Sequence, residues 1–263
     1  MIRFDAGRQR VWARPDQVAA TLLLSFADPT APMLSEEVAR ATLEDFAQAG
    51  VTVGGSPVRE VAELLAVLAR PQLLVEVETS IGDEPGPGHT LWLGQDLGVL
   101  AEGMVGEPRY VYAPVAPTLV PWVLGHLVAL RRRPTPAFSH AVTLSRRLLD
   151  GAMDDLHGGD AARAARSLAA GGGLDDDAAT AMVRMLDGRR LTWRATTAWL
   201  DGSPQSRSLT VVDAVDAGYW VSSVPEGVDL GDPGVRVTLE PVSSAEAWRR
   251  LTALLPGVDK AAP

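Results

Sequence analysis

One unit written twice constrains this chain more than any other feature. An amphipathic helix, a β-meander and a second amphipathic helix run over residues 57–130 and again over 175–255. In the first copy Val58, Val61, Leu64, Leu65 and Leu68 recur at the spacing that lines one helical face with apolar groups. Leu73, Val75 and Val77 then alternate with Glu76 and Glu78, the period of a strand with one buried face. In the second copy Ala179, Met182, Val183 and Leu186 line the helix, and Leu191-Thr192-Trp193-Arg194-Ala195 opens the meander. Leu73 matches Leu191 and Leu91 matches Leu209 at one common offset, so the register spans two strands and the loop between them. Gly98 of Gly98-Val99-Leu100 matches Gly218 of Gly218-Tyr219-Trp220, and Trp122 matches Trp248.

A meander with one apolar face needs a surface to cover it. The repeat therefore predicts an α+β fold: one domain over 1–263, made of an N-terminal half (1–133) and a C-terminal half (137–258). Pro134-Thr135-Pro136 is the connector. At 263 residues, 46% hydrophobic and 22% charged, the chain has the make-up of a globular protein with a substantial core.

There is no cysteine, which excludes disulfides and thiolate chemistry. Met1-Ile2-Arg3-Phe4-Asp5 lacks the apolar core of a signal peptide and no run approaches membrane-spanning length, so a cytoplasmic protein without membrane insertion is expected. A net charge of −9 argues against a nucleic-acid partner held by phosphate neutralisation.

In chain order, Val11-Trp12-Ala13 reads as a short edge strand and Val18 to Phe26 as an apolar helix stopped by Asp28-Pro29. Ser35, followed by Glu36 and Glu37, caps a helix to Ala49 that buries Ala39, Leu43 and Phe46. Pro57 suits a first helical position, and Pro71 closes that helix. Ile81 to His89 is too rich in glycine, proline and acids to continue a ladder and reads as a long loop. A helix from Thr118 buries Val120, Val123, Leu124 and Leu127, and Arg131-Arg132-Arg133 complements its dipole. Further helices are expected over 143–156 and 160–170. Asp175-Asp176-Asp177 reads as a helix start rather than a metal site, since no spaced set of oxygen ligands follows. Ser243 and Glu246 form a capping box, and that helix buries Ala247, Trp248, Leu251, Leu254 and Leu255. The tail after Val258 is expected to fray.

A search for catalytic chemistry returns negatives. His89, His126, His140 and His157 share no metal-ligand spacing, and there is no P-loop, dinucleotide fingerprint or nucleophile elbow. His126, amid Leu124, Leu127 and Val128, reads as a packing histidine. No enzyme activity, cofactor or metal is expected.

The order of these features resembles the EspG family, cytosolic chaperones of mycobacterial and related actinobacterial type VII secretion. In the first half the resemblance rests on Val58 to Leu68, Ala69-Arg70-Pro71-Gln72-Leu73-Leu74-Val75-Glu76-Val77, the Pro/Gly loop, Val111-Tyr112-Ala113-Pro114 and Trp122-Val123-Leu124-Gly125-His126-Leu127. In the second it rests on Gly173-Leu174 through Leu186, Leu191-Thr192-Trp193, Leu209-Thr210-Val211-Val212-Asp213, Gly218-Tyr219-Trp220-Val221 and the Ala247 to Leu255 helix. The family's usual first strand and helix have no clear match in Met1 to Met33.

The resemblance implies a central antiparallel sheet built from two pseudo-twofold-related halves, with helical subdomains. It also implies a binding function: holding the apolar tip of a helical-hairpin secretion substrate, a PE–PPE-like heterodimer or analogue, to keep it soluble and direct it to its machinery. The positions matching the family's binding loop are Gly82, Asp83, Glu84, Pro85, Gly86, Pro87, Gly88 and His89, with the helices between Asp160 and Leu186. Strand alternation adds a second set. If Leu73, Val75, Leu91, Leu93, Leu191 and Trp193 face the helices, then Glu76, Glu78, Trp92 and Arg194 occupy the other sheet face, with Trp92 as a partner anchor. The alternatives are a small-ligand protein or enzyme on the same scaffold, and a self-assembling structural subunit; a homodimer is compatible with either.

Overall fold

The computed structural model describes residues 2–19, 41, 44–104, 106–225, 227–229 and 231–256. The expected Val18–Phe26 helix from residue 20 onward, its stop at Asp28-Pro29, the cap at Ser35, Ala39, Leu43 and the tail after Val258 lie outside these residues. By compactness the chain divides into two units. Unit 1 holds Met1–Glu78, Pro87–Val123 and Thr197–Ser206; unit 2 holds Thr79–Gly86, Leu124–Thr196 and Arg207–Pro263.

The first half of the chain supplies strands β1 (Arg3–Asp5), β2 (Arg10–Ala13), β3 (Thr52–Val53), β4 (Ser56–Pro57), β5 (Leu73–Ile81), β6 (Glu84–Pro85), β7 (His89–Leu93), β8 (Gly98–Met104) and β9 (Glu107–Val115). Helix α1 (Arg59–Ala69) precedes β5, and α2 (Val120–Leu127) follows β9 after a short 3-10 turn. In unit 1 the antiparallel order is β1-β2-β9-β8-β7-β5. Val75, Leu91 and Leu100 pair across one face; Trp92 pairs with Val99 on the other, beside the row Thr90, Ala101, Tyr112 and Val11. The second face carries α1, whose Val61, Leu64 and Leu65 are buried with Val99, Ala101 and Tyr112.

Three expectations change here. Trp92 lies on the face that α1 covers, because alternation fixes which residues share a face but not which face a helix takes. Val11-Trp12-Ala13 is not an edge strand: β2 sits between β1 and β9, its hairpin turned where Asp5 Oδ1 accepts from the Arg8 amide. Ser56 and Pro57 do not start a helix but pair with Val53 and Thr52 around Gly54 and Gly55, whose positive φ the tight turn requires. The helix begins at Arg59 without a side-chain cap.

The second half supplies β10 (Val142–Ser145), α3 (Arg146–His157), α4 (Ala161–Gly172), α5 (Asp176–Asp187), β11 (Leu191–Asp201), β12 (Ser203–Asp213), β13 (Tyr219–Ser223), β14 (Arg236–Val242) and α6 (Ser244–Thr252). Within unit 2, β12, β13, β14 and β10 pair antiparallel in that order. The core beneath α3, α4 and α5 is built from Leu144, Leu168, Met182, Met185, Val212 and Trp220. Each large apolar side chain buried there contributes about 1.5–3 kcal/mol.

Local chemistry sets the helix ends. Thr143, expected inside a helix, sits in β10 with its hydroxyl 2.9 Å from that of Thr238, and Ser145 caps α3 by accepting from the Leu148 amide. Asp160 and Asp175 cap α4 and α5, each accepting at 2.8 Å from an amide three residues on. Ser243 accepts from the Glu246 amide at 3.1 Å, but the Glu246 carboxylate turns to Arg249 and Arg250, so only half of the expected box forms. His126 is exposed rather than packed. Gly125, next to it, leaves no room for a Cβ, which would stand 2.7 Å from the Trp248 ring.

Candidate partner-binding site

The segment expected to be a long loop is instead a hairpin extension of β5. Ser80 pairs with Pro85 and Ile81 with Glu84, and Gly82 supplies the positive φ of the turn. The Gly86 amide donates to the Thr79 carbonyl at 2.7 Å, and a Cβ at Gly86 would lie 2.3 Å from Thr79 Oγ1. Composition misled because the ladder is closed by only two residue pairs, and glycine and proline sit at its turn and at its edge.

The hairpin tip belongs to unit 2 and is docked there. The Gly82 amide donates to the Arg190 carbonyl at 3.2 Å. The Asp83 carboxylate lies between the Arg189 guanidinium, to which it is ion-paired, and the His157 imidazole, 3.5 Å away. Asp83 and His157 are both well exposed, so these contacts orient the tip more than they stabilise the fold. Beside them is a cavity of about 130 Å³ whose apolar wall is Met153, Leu156 and Leu186. Ile81, one residue before the turn, is 59% exposed. The helical residues beside the hairpin tip lie in the last turns of α3 and α5. Met153, Leu156 and His157 fall outside the Asp160–Leu186 span that the family pattern suggests, although their spacing on one face of α3 was readable.

The remaining candidate residues fall elsewhere. Pro87, Gly88 and His89 lead into β7 in unit 1, where Gly88 accepts from the Gly103 amide at 3.1 Å. Trp92 is half-buried and stacks on Tyr112, ring centroids 6.5 Å apart, beside a cavity of about 300 Å³ also lined by Val18, Leu68 and Tyr110. Burial, with Tyr110 and Asp16 nearby, pushes the Tyr112 phenol up to about 12. Glu76 and Glu78 are exposed on β5 in unit 1, and Arg194 is exposed on β11 in unit 2. Among the described residues no group of three or more histidines, aspartates or glutamates is disposed to hold a metal.

The profile of the EspG family matches residues 20–252, most of the chain's length. This chain belongs to the EspG family. Among solved structures the EspG chain is similar to the Mycobacterium tuberculosis type VII secretion system chaperone EspG5, determined in complex with the PE25-PPE41 dimer. That match has a TM-score of 0.60 at 12% identity and covers 93% of this chain and 95% of EspG5. At that identity the likeness shows the fold: mixed helix and strand, with antiparallel sheet. No curated protein is significantly similar to the EspG chain in sequence. Among its described residues no helix is long and apolar enough to cross a membrane.

Proposed function

We propose that this EspG chain is a cytosolic chaperone and adaptor of a type VII secretion system. It holds the apolar tip of a PE–PPE-like helical substrate, keeps that tip soluble and directs it to the machinery. The observation that carries the reading is the 79–86 hairpin, with Ile81 exposed and, beside its tip, a small cavity where Met153, Leu156 and Leu186 meet Asp83, His157, Asp187 and Arg189. Family membership, and the PE25-PPE41 dimer bound to the structurally similar EspG5, supply the class of partner. A helix tip that exposes apolar surface is an aggregation hazard until covered, and covering it needs binding surface but no proton transfer or nucleophile. In this reading the protein is not an enzyme. Gly82 to Gly86 make the first contacts; Pro87 to His89, Glu76, Glu78 and half-buried Trp92 in unit 1, and Arg194 in unit 2, are further candidates, each within its own unit.

The experiment is affinity purification of the tagged protein from its own host, with mass spectrometry of what accompanies it. Near-stoichiometric recovery of a helical-hairpin secretion substrate is expected, with loss when residues 82–85 are replaced by a shorter turn. Recovery of the protein alone, under conditions where candidate substrates are expressed, would overturn the function; recovery unaffected by the shortened turn would remove the hairpin from the site.

A further inference from the structure

A second cavity within unit 2 touches the same hairpin at Ile81. It measures about 170 Å³ and its lining includes Ile81, Ala129, Arg131, Arg133, Arg190 and Asp213. Two of the three arginines in its lining differ sharply from the third. Arg133 is spent: its Nε and Nη2 donate to the two oxygens of buried Asp213 at 2.8 and 2.6 Å. Arg131 and Arg190 are exposed, and among the described residues neither guanidinium has a carboxylate partner. Among the described residues Asp213 is the only acid in the lining, and its charge is cancelled by Arg133. The cavity therefore carries two uncompensated positive charges in a protein whose net charge is −9.

The backbone holds these cations in place. Ala129 takes φ +48° at the end of α2, with its amide donating to the His126 carbonyl and the Leu130 amide donating to the Gly125 carbonyl at 2.8 Å. This left-handed helix stop turns the chain so that the Arg131 amide donates to the Tyr219 hydroxyl at 2.9 Å and the Arg131 carbonyl accepts from it at 3.1 Å. The Arg190 amide donates to the Asp213 carbonyl at 3.0 Å. Both guanidinium stems therefore spring from backbone tied to the same Asp213–Tyr219 end of the sheet. The C-terminal ends of α2 and α5 lie nearby, but a helix end carries only about half a charge, already partly satisfied here by the Ala129 and Leu130 amides.

We infer that the cavity between Arg131 and Arg190 is a binding site for a dianionic oxyanion, of the phosphate or dicarboxylate kind. Two planar guanidiniums with free N–H groups match the two charges and the oxygen geometry of such an anion. The inference stands apart from the chaperone reading.

The test is thermal unfolding of the full chain titrated with inorganic phosphate and, separately, with succinate, at ionic strength held constant with sodium chloride. A saturable rise in Tm is expected that chloride does not give, shifted to about tenfold higher anion concentration in Arg131→Gln and in Arg190→Gln. Arg132→Gln, a neighbour outside the cavity, keeps the wild-type response. The unfolding temperature of each variant in chloride alone checks its fold, and both altered side chains are exposed. A stronger response to phosphate identifies a phosphate-type ligand and a stronger response to succinate a carboxylate one. A response no different from chloride, or one that survives in both Gln variants, overturns the site.

Discussion

Arg133 and Asp213 form a largely buried ion pair, with side-chain exposures of 14% and 3%. Removing one partner strands the other charge in a dry environment, so Arg133→Met is expected to lower stability by about 3 kcal/mol, read as a shift in urea midpoint. The sequence placed Arg133 at a helix end and assigned it to the dipole; its actual partner is 80 positions away in the chain, a distance no local pattern reports. A second residue-level expectation concerns acid. Hydrogen bonds from Arg250, followed by contacts with Arg249 at Glu246, hold the Glu240 and Glu246 carboxyls below their ordinary range. Depressed folded values mean that the stabilisation is present above the unfolded value of 4.5 and is lost as pH falls through the lower folded values. Both groups are partly exposed, so the contribution is under about 1 kcal/mol. Arg250→Met should flatten the stability profile below pH 4.5 and leave the neutral side of the curve with the same shape. Tyr112 behaves in the opposite sense: its folded value is raised to about 12, so its contribution holds up to pH 10 and fades through 12. An ultraviolet titration should show a late phenol that disappears in Tyr112→Phe.

At the scale of elements, the periodic segments were the most legible. Val61, Leu64 and Leu65 in α1, the alternation through β5, and Ala179, Met182 and Leu186 in α5 are buried as their spacing predicts. The hairpin was not legible, because its ladder is two pairs long and its turn residues are those of any loop. Nor was the covered face of the unit 1 sheet, since both faces bury apolar residues: Val75 and Leu91 on one, Val99 and Ala101 on the other. Two substitutions test these elements. Gly86→Ala should distort the hairpin, because the added methyl would meet Thr79 Oγ1 at 2.3 Å, and weaken partner binding with little effect on the fold. Leu168→Ala, at a fully buried position of the unit 2 core, should cost about 2–5 kcal/mol in urea denaturation.

For the molecule as a whole, the same element order in the two halves, a helix, a four-stranded meander and a helix, was readable from matched leucines and glycines. The candidate segment Gly82 to His89 was marked out by its loop-like composition and by the family resemblance, whereas the residues that pack beside the hairpin tip, His157, Arg189 and the apolar wall of α3, enter through tertiary docking that no local pattern reports. The central claim is that the hairpin and the ends of α3 and α5 cover an apolar helix tip. The most direct measurement is hydrogen exchange of the EspG protein with and without its co-purified substrate. Protection is predicted at 79–86, 153–157 and 186–190. Protection confined to the strands around Trp92, or absent from the hairpin in a stable complex, would contradict it.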